Sequence, residues 1–156
     1  MKKFIILSAA ILAACAGPVP EGGIEISNIR FDSPLPGQMT GVGFMSVENK
    51  GAADRLIAVS TPVSERVELH THTEENGVMK MRRVDGIDLP AGETVEFKPG
   101  SYHIMIFGTE MAVGEETTVT LDFEKAEDVT LVAPILQRGA KPTMSDHSDH
   151  GSDTEY

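Results

Sequence analysis

The sequence is short of cysteine, of positive charge and of helical periodicity, and each shortage argues against a class of protein. Cys15 is the one cysteine among 156 residues, so no disulfide can form within the chain. Lys and Arg number 13 against 24 Asp and Glu, and this balance argues against nucleic acid and anionic lipid as partners, since both need a basic face. No window repeats its apolar residues with a sustained helical period, which argues against a helical fold.

The N-terminus has the form of a secretory signal. Lys2 and Lys3 precede an apolar stretch, residues 4–14, that is too short to span a membrane. The stretch ends in Leu12-Ala13-Ala14-Cys15, which resembles the lipobox of bacterial lipoproteins and so implies cleavage before Cys15 and lipidation of its sulfur. The alternative is an ordinary signal peptide cut after an Ala-x-Ala-like site. We therefore expect a signal peptide at 1–14, a lipidated cysteine and flexible tether at 15–23, and a mature protein at the periplasmic face of the bacterial envelope, held to the membrane by its lipid.

Residues 24–137 follow the pattern of β-strands. Short runs of alternating apolar and polar residues are separated by Gly, Pro, Asn and Asp, which is typical of strands joined by turns. Many short strands without helical segments predict an all-β fold, an antiparallel β-sandwich. The sequence is also compatible with a short helical turn at 52–54 or at 108–113. The predicted strands are 24–31, 40–48, 55–61, 66–73, 78–84, 94–98, 102–107, 117–124 and 129–132.

Residues 138–156 lose this pattern. They contain almost no apolar side chains, and we expect a disordered acidic tail. The tail nevertheless carries Met144, His147 and His150 within seven positions. One interpretation is a solvated polar tail. The other is an auxiliary metal-binding arm, in which the histidines and their aspartate neighbours suit Cu(II).

Two histidines and two methionines stand at fixed offsets in the middle of the chain. His70 is followed by Met81 after ten residues, by His103 after 21 more, and by Met105 two positions later. Imidazole and thioether together suit copper, above all Cu(I), whereas carboxylates and carbonyls suit harder ions. At positions i and i+2 of one strand, His103 and Met105 project to the same face. The pattern therefore predicts a copper site made of two histidines and two methionines.

The partner strand leaves two histidines as candidates. Asn76-Gly77 lies between two alternating runs and predicts a two-residue type I′ hairpin, since both positions of that turn need positive φ. Continued pairing from this turn puts His72 directly opposite Met81 and His70 diagonal to it. Met79 shares the face of Met81. The register alone does not choose between the histidines, and His72 and Met79 are auxiliary candidates.

The spacing His-x10-Met-x21-His-x-Met resembles that of the periplasmic copper chaperones called PCu(A)C, over residues 24–135. The resemblance implies a cupredoxin-like Greek-key β-sandwich that binds Cu(I) through His70, Met81, His103 and Met105, and it favours His70 over His72. It also implies delivery of copper to the Cu(A) centre of cytochrome c oxidase, to an oxidase subunit or to a thioredoxin-like copper chaperone. The shorter motifs that carry it are Ala53-Asp54-Arg55-Leu56, Val67-Glu68-Leu69-His70, Gly77-Val78-Met79-Lys80-Met81, Leu89-Pro90-Ala91-Gly92 and Lys98-Pro99-Gly100.

Other functions fit the sequence less well. A blue-copper electron carrier needs a cysteine thiolate ligand, and Cys15 stands at the expected membrane anchor. A copper enzyme needs an open position for substrate and usually more histidines, and the chain offers no further catalytic set, so we predict that it is not an enzyme. A copper-buffering or resistance protein of the envelope is the alternative, which the histidines and methionine of the tail favour.

Overall fold

The computed structural model describes residues 23–139, and these form ten β-strands without a helix. A helix able to cross a membrane does not occur in this part of the chain. The strands are β1 (Ile24–Asp32), β2 (Thr40–Asn49), β3 (Asp54–Ser60), β4 (Arg66–Glu75), β5 (Val78–Val84), β6 (Ile87–Leu89), β7 (Thr94–Phe97), β8 (His103–Phe107), β9 (Glu116–Phe123) and β10 (Val129–Leu136).

The strands form two layers that are joined at one corner. The first layer has the order β5-β4-β8-β2-β1. One edge of β2 has two partners: its first half pairs with β8 and its second half pairs with β7. The second layer has the order β10-β9-β3-β6. All pairings within the layers are antiparallel, and a short parallel pairing of β1 with β10 connects them. The predicted all-β, cupredoxin-like sandwich is confirmed.

One apolar core lies between the layers. Strand alternation sends every second side chain inward, so Ile104 and Ile106 of β8 are fully buried, as are Val119 and Leu121 of β9 in the facing layer. Each such side chain contributes about 1.5–3 kcal/mol through its removal from water. The inward direction of Ile104 and Ile106 fixes the direction of their neighbours, because residues at odd positions of β8 must then face the outside of the sandwich.

Two glycines of β2 allow close approach in this layer. A Cβ atom on Gly43 would lie 2.7 Å from the ring of Phe31, and a Cβ atom on Gly41 would collide with the end of Met111.

Met111 belongs to the segment between β8 and β9, where the sequence was compatible with a short helical turn. The structure has extended and turn residues there, and Met111 is buried against the core. Residues 52–54 likewise form no helical turn.

The hairpin between β4 and β5 has the predicted geometry. Asn76 has φ of 55° and Gly77 has φ of 77°, as a type I′ turn requires. Glu75 pairs with Val78, and the pairing continues without interruption to Leu69 and Val84. A second asparagine with positive φ, Asn28, accompanies the shift of register between β1 and β2, which the sequence did not reveal.

The end of the described chain packs onto the sandwich. Arg138, which the sequence assigned to the tail, donates a hydrogen bond from Nη2 to the carbonyl oxygen of Thr40 at 2.8 Å. The folded domain thus extends at least to this residue. The predicted signal peptide, the lipidated Cys15, most of the tether and the tail residues 140–156, with Met144, His147 and His150, lie outside the described residues.

Candidate metal centre

The predicted ligands lie on the outer face of the first layer. On β8, His103 and Met105 face away from the core. On β4, His70 stands directly opposite His103, and Glu68 stands directly opposite Met105. On β5, Met81 stands directly opposite His72. Three adjacent strands therefore bring the histidines and methionines of the sequence pattern onto one surface.

His103 is the most buried of these side chains, with 2% of its surface exposed. Its Nδ1 lies 3.0 Å from the carbonyl oxygen of Ser101, which can only accept, so Nδ1 carries the proton and donates. Its Nε2 is buried and has no hydrogen-bond partner among residues 23–139. Burial lowers the pKa of His103, and the nearby His72 and His70 lower it further. The ring is thus held neutral, with an unused lone pair on Nε2.

His70 is held at the opposite ring nitrogen. Its Nε2 lies 2.9 Å from Oε2 of Glu68. The hydrogen bonds from His70 and then from Arg66 lower the pKa of the Glu68 carboxyl, so this carboxyl is ionised and accepts from Nε2. The Nδ1 atom of His70 is buried and has no partner within the described part of the chain. His70 and His103, whose ring centroids are 5.9 Å apart, therefore each leave one nitrogen free.

His72 and Met81 lie nearer the edge of the sheet. The ring centroid of His72 is 4.9 Å from that of His103, which is closer than His70 comes. Its Nδ1 lies 3.4 Å from the same Ser101 carbonyl oxygen. Met81 is 48% exposed on the edge strand β5. Met79 stands opposite Glu74, two pairs along from His72 and Met81, and so lies away from the cluster.

A groove of about 860 Å³ opens over this surface. His72, Met81, His103 and Met105 line it, whereas His70 does not. Its other walls are mainly apolar, and Arg30 and Arg138 stand among the polar lining residues. Within residues 23–139, no group of three or more His, Cys, Asp and Glu side chains is arranged to hold a metal ion. The histidines and methionines that line the groove offer imidazole nitrogens and thioether sulfurs instead.

Two contacts at this site did not follow from the sequence analysis. Glu68 shares a face with His70 by alternation, so its proximity could have been read from the strand pattern, but its hydrogen bond to Nε2 depends on side-chain rotation. The Ser101 carbonyl that orients His103 is a backbone group, and no residue type marks it in the sequence.

The chain matches the family model described as "Putative lipoprotein LpqE-like" over residues 24–135. It is 26% identical over 117 residues to a Leifsonia xyli subsp. xyli protein named as a lipoprotein, Lxx21020, covering 72% of this chain and 69% of the relative. It is 31% identical over 84 residues to the uncharacterized protein RP573 of Rickettsia prowazekii, covering 52% of this chain and 46% of the relative.

Solved structures of the same fold include domains with known metal content. The copper-bound PCuAC domain from PmoF2 has a TM-score of 0.62 and 29% identity, covering 78% of this chain and 97% of that domain. The apo form of the PmoF2 domain has a TM-score of 0.63 and 30% identity, with coverages of 79% and 95%. The Cu(I) form of DR1885 from Deinococcus radiodurans, at 23% identity, a TM-score of 0.59 and coverages of 80% and 83%, is similar in fold.

Proposed function

The chain belongs to the LpqE-like, PCuAC family, and we propose that it is an extracytoplasmic copper chaperone that binds Cu(I) and passes it to another protein. The proposed ligands are His70, Met81, His103 and Met105. The main observation behind this proposal is that His70 and His103 each have one ring nitrogen held by a hydrogen bond and the other buried without a partner among the described residues. Leaving a buried polar atom unpaired costs about 1–3 kcal/mol, and a bound metal ion would offset that cost.

The chemistry of the donors favours Cu(I). Thioethers are soft and uncharged, and they need no deprotonation before they bind a metal ion. Burial lowers the pKa of His103, so its lone pair stays available to a lower pH than that of an ordinary histidine. The ionised Glu68 lies beside His70 and supplies negative charge near the ion without being a proposed ligand. This set binds more weakly than thiolates, as a protein that must release copper requires.

Release is proposed to occur by stepwise ligand exchange through the exposed side of the site. Met81 lies on the edge strand and is half exposed, so an acceptor's thiolates can reach the ion from this side while the buried His103 still holds it. The proposed acceptors are the Cu(A) centre of a cytochrome c oxidase subunit or a thioredoxin-like copper chaperone. The protein would act as a carrier and not as an enzyme. The family's description as lipoproteins supports anchoring at the periplasmic face through Cys15.

Transfer to an acceptor tests the proposal. The mature chain, loaded with one equivalent of Cu(I) without oxygen, is mixed with the purified Cu(A)-binding domain of an oxidase, and the copper content of each protein is measured after separation. We expect most of the copper on the acceptor. Met81→Leu, which removes one sulfur from the exposed edge, is the matched variant and is expected to pass its copper to the acceptor more slowly. Copper that remains on the wild-type chain in the presence of acceptor would contradict the proposal.

The alternative function is copper buffering or resistance in the envelope. Retention of copper in the transfer experiment would favour it. A tail site for Cu(II) at Met144, His147 and His150 would serve either function, and it is supported by the histidines and their aspartate neighbours, which suit Cu(II). Deletion of residues 140–156, which keeps the Arg138 contact, is expected to reduce Cu(II) binding. Unchanged Cu(II) binding would remove the tail from the account.

A further inference from the structure

We propose that His72 is a further copper ligand and that the site holds Cu(I) in two overlapping positions. The inner position uses His70, His103 and Met105. The outer position uses His72, Met81 and the same His103. This inference rests on the proposed function, because it concerns how an ion at that site would enter and leave it.

The register of the sheet separates the two donor sets. Residues directly opposite each other in antiparallel strands have Cα atoms about 5 Å apart, whereas diagonal neighbours are about 7–8 Å apart. His72 is directly opposite Met81, while His70 is directly opposite Arg83 and only diagonal to Met81. His70 is directly opposite His103 on its other side. The strands therefore pair Met81 with His72 and pair His103 with His70.

The rings of the three histidines are in series. The His103 ring lies 4.9 Å from that of His72 and 5.9 Å from that of His70, measured between centroids. The Nε2 atom of His103 is the free one. A ligand shared between two donor sets lets an ion move from one set to the other without ever being released to water, since at least one bond persists in each step.

The groove separates His70 from the other donors, since Met105 of the inner set lines it as well. His72 and Met81 line the groove together with His103, and Met81 is the most exposed of the proposed donors. His70 is not part of the groove wall, and Glu68 holds its Nε2. An ion that arrives through the groove therefore meets His72 and Met81 before it reaches His70, and a departing ion passes them last.

A pair of phenylalanine substitutions separates the two positions. His72→Phe and His70→Phe each keep a planar ring and remove both nitrogens. The mature chain is loaded with Cu(I) without oxygen; its affinity is measured against bicinchoninate, and the rate at which glutathione removes the ion is measured by stopped flow. We expect His72→Phe to keep one equivalent with less than about 10-fold loss of affinity, but to slow removal by about 10-fold or more. We expect His70→Phe to lose about 100-fold in affinity.

A spectroscopic measurement identifies the ligand directly. Imidazole ¹⁵N resonances are followed while Ag(I), a redox-inert analogue of Cu(I), is added to the wild-type chain, and those of His72 and His103 are expected to shift together. Unshifted His72 resonances, together with an unchanged removal rate in His72→Phe, would overturn this inference. The proposed chaperone function would still stand. A wild-type chain that binds no Cu(I) would overturn the proposed function and this inference with it.

Discussion

Asn49 and His103 are equally buried, each with 2% of its surface exposed, yet their polar atoms are used differently. The Nδ2 atom of Asn49 donates to the carbonyl oxygens of Ala52 and Leu89, both at 2.8 Å, and its Oδ1 accepts from the backbone N–H of Gly51 at 3.0 Å. His103 donates from Nδ1 and leaves Nε2 without a partner in the described chain. A buried polar group with all its partners stabilises the fold, whereas a buried nitrogen with a spare lone pair is available to a ligand.

The largest expected effect comes from replacing Asn49, whose side-chain amide has hydrogen-bond partners at both ends. Asn49→Leu leaves two carbonyl oxygens and one N–H buried without their partner, so we expect a loss of about 3–4 kcal/mol in the free energy of unfolding. Urea unfolding followed by circular dichroism measures it. Cu(I) affinity of the folded variant should stay within about twofold, since the substitution lies away from the metal surface. A stable Asn49→Leu variant would show that these hydrogen bonds contribute little.

The second prediction concerns the carboxylate that holds His70. Glu68→Ala removes the acceptor of His70 Nε2–H, and partners of this kind are worth about 10–100-fold in metal affinity. The expected loss is about 1.4–2.8 kcal/mol in Cu(I) binding, measured by chelator competition. Glu68→Gln keeps an acceptor oxygen and is expected to recover most of the affinity. Equal affinity in Glu68→Ala and the wild type would mean that His70 needs no orientation.

The third prediction concerns the stability of the protein when His103, and not Asn49, is replaced. His103→Phe removes the hydrogen bond to the Ser101 carbonyl but also removes the unpartnered buried Nε2, so the two effects offset each other and the metal-free protein is expected to change in stability by less than about 1 kcal/mol. The measurement is again urea unfolding, under the conditions used for Asn49→Leu. Destabilisation by several kcal/mol would place His103 with Asn49 as a structural group.

The smallest expected effect is a dependence of stability on pH. Burial lowers the pKa of His103 in the folded protein below its ordinary value of 6.5, so the unfolded chain takes up a proton where the folded chain does not. Uptake by the unfolded state favours unfolding, and the free energy of unfolding should fall as pH is lowered through 6.5, until folded His103 itself titrates. The difference in the free energy of unfolding between the wild type and His103→Phe, measured across this pH range, gives the contribution of His103. A difference that does not vary with pH would contradict the assigned cause.

The sequence predicted the parts of the structure that depend on local pattern. Alternation predicted the direction of Ile104 and Ile106, and the Asn76-Gly77 turn predicted the pairing of His72 with Met81. Strand β6 was missed because three residues are too few to show a period, and its pairing with β3 is a tertiary contact. The parallel pairing of β1 with β10 joins distant segments and has no local signal either.

For the candidate site, too, the sequence predicted some features and not others. The spacing of histidines and methionines identified the side chains that the structure brings onto one surface. It could not say which ring nitrogen of each histidine is free, because that depends on the Ser101 carbonyl and on the rotation of Glu68. It also left His70 and His72 as alternatives, and the structure puts both beside His103.

Anaerobic Cu(I) competition against bicinchoninate shows whether the unpartnered nitrogen of His103 binds copper, as we propose. The mature wild-type chain and His103→Phe are compared, with thermal unfolding of the metal-free proteins as the control for folding. We predict one tightly bound equivalent in the wild type and a loss of about 100-fold or more in the variant, with unchanged folding. Equal affinities in two folded proteins would contradict the claim.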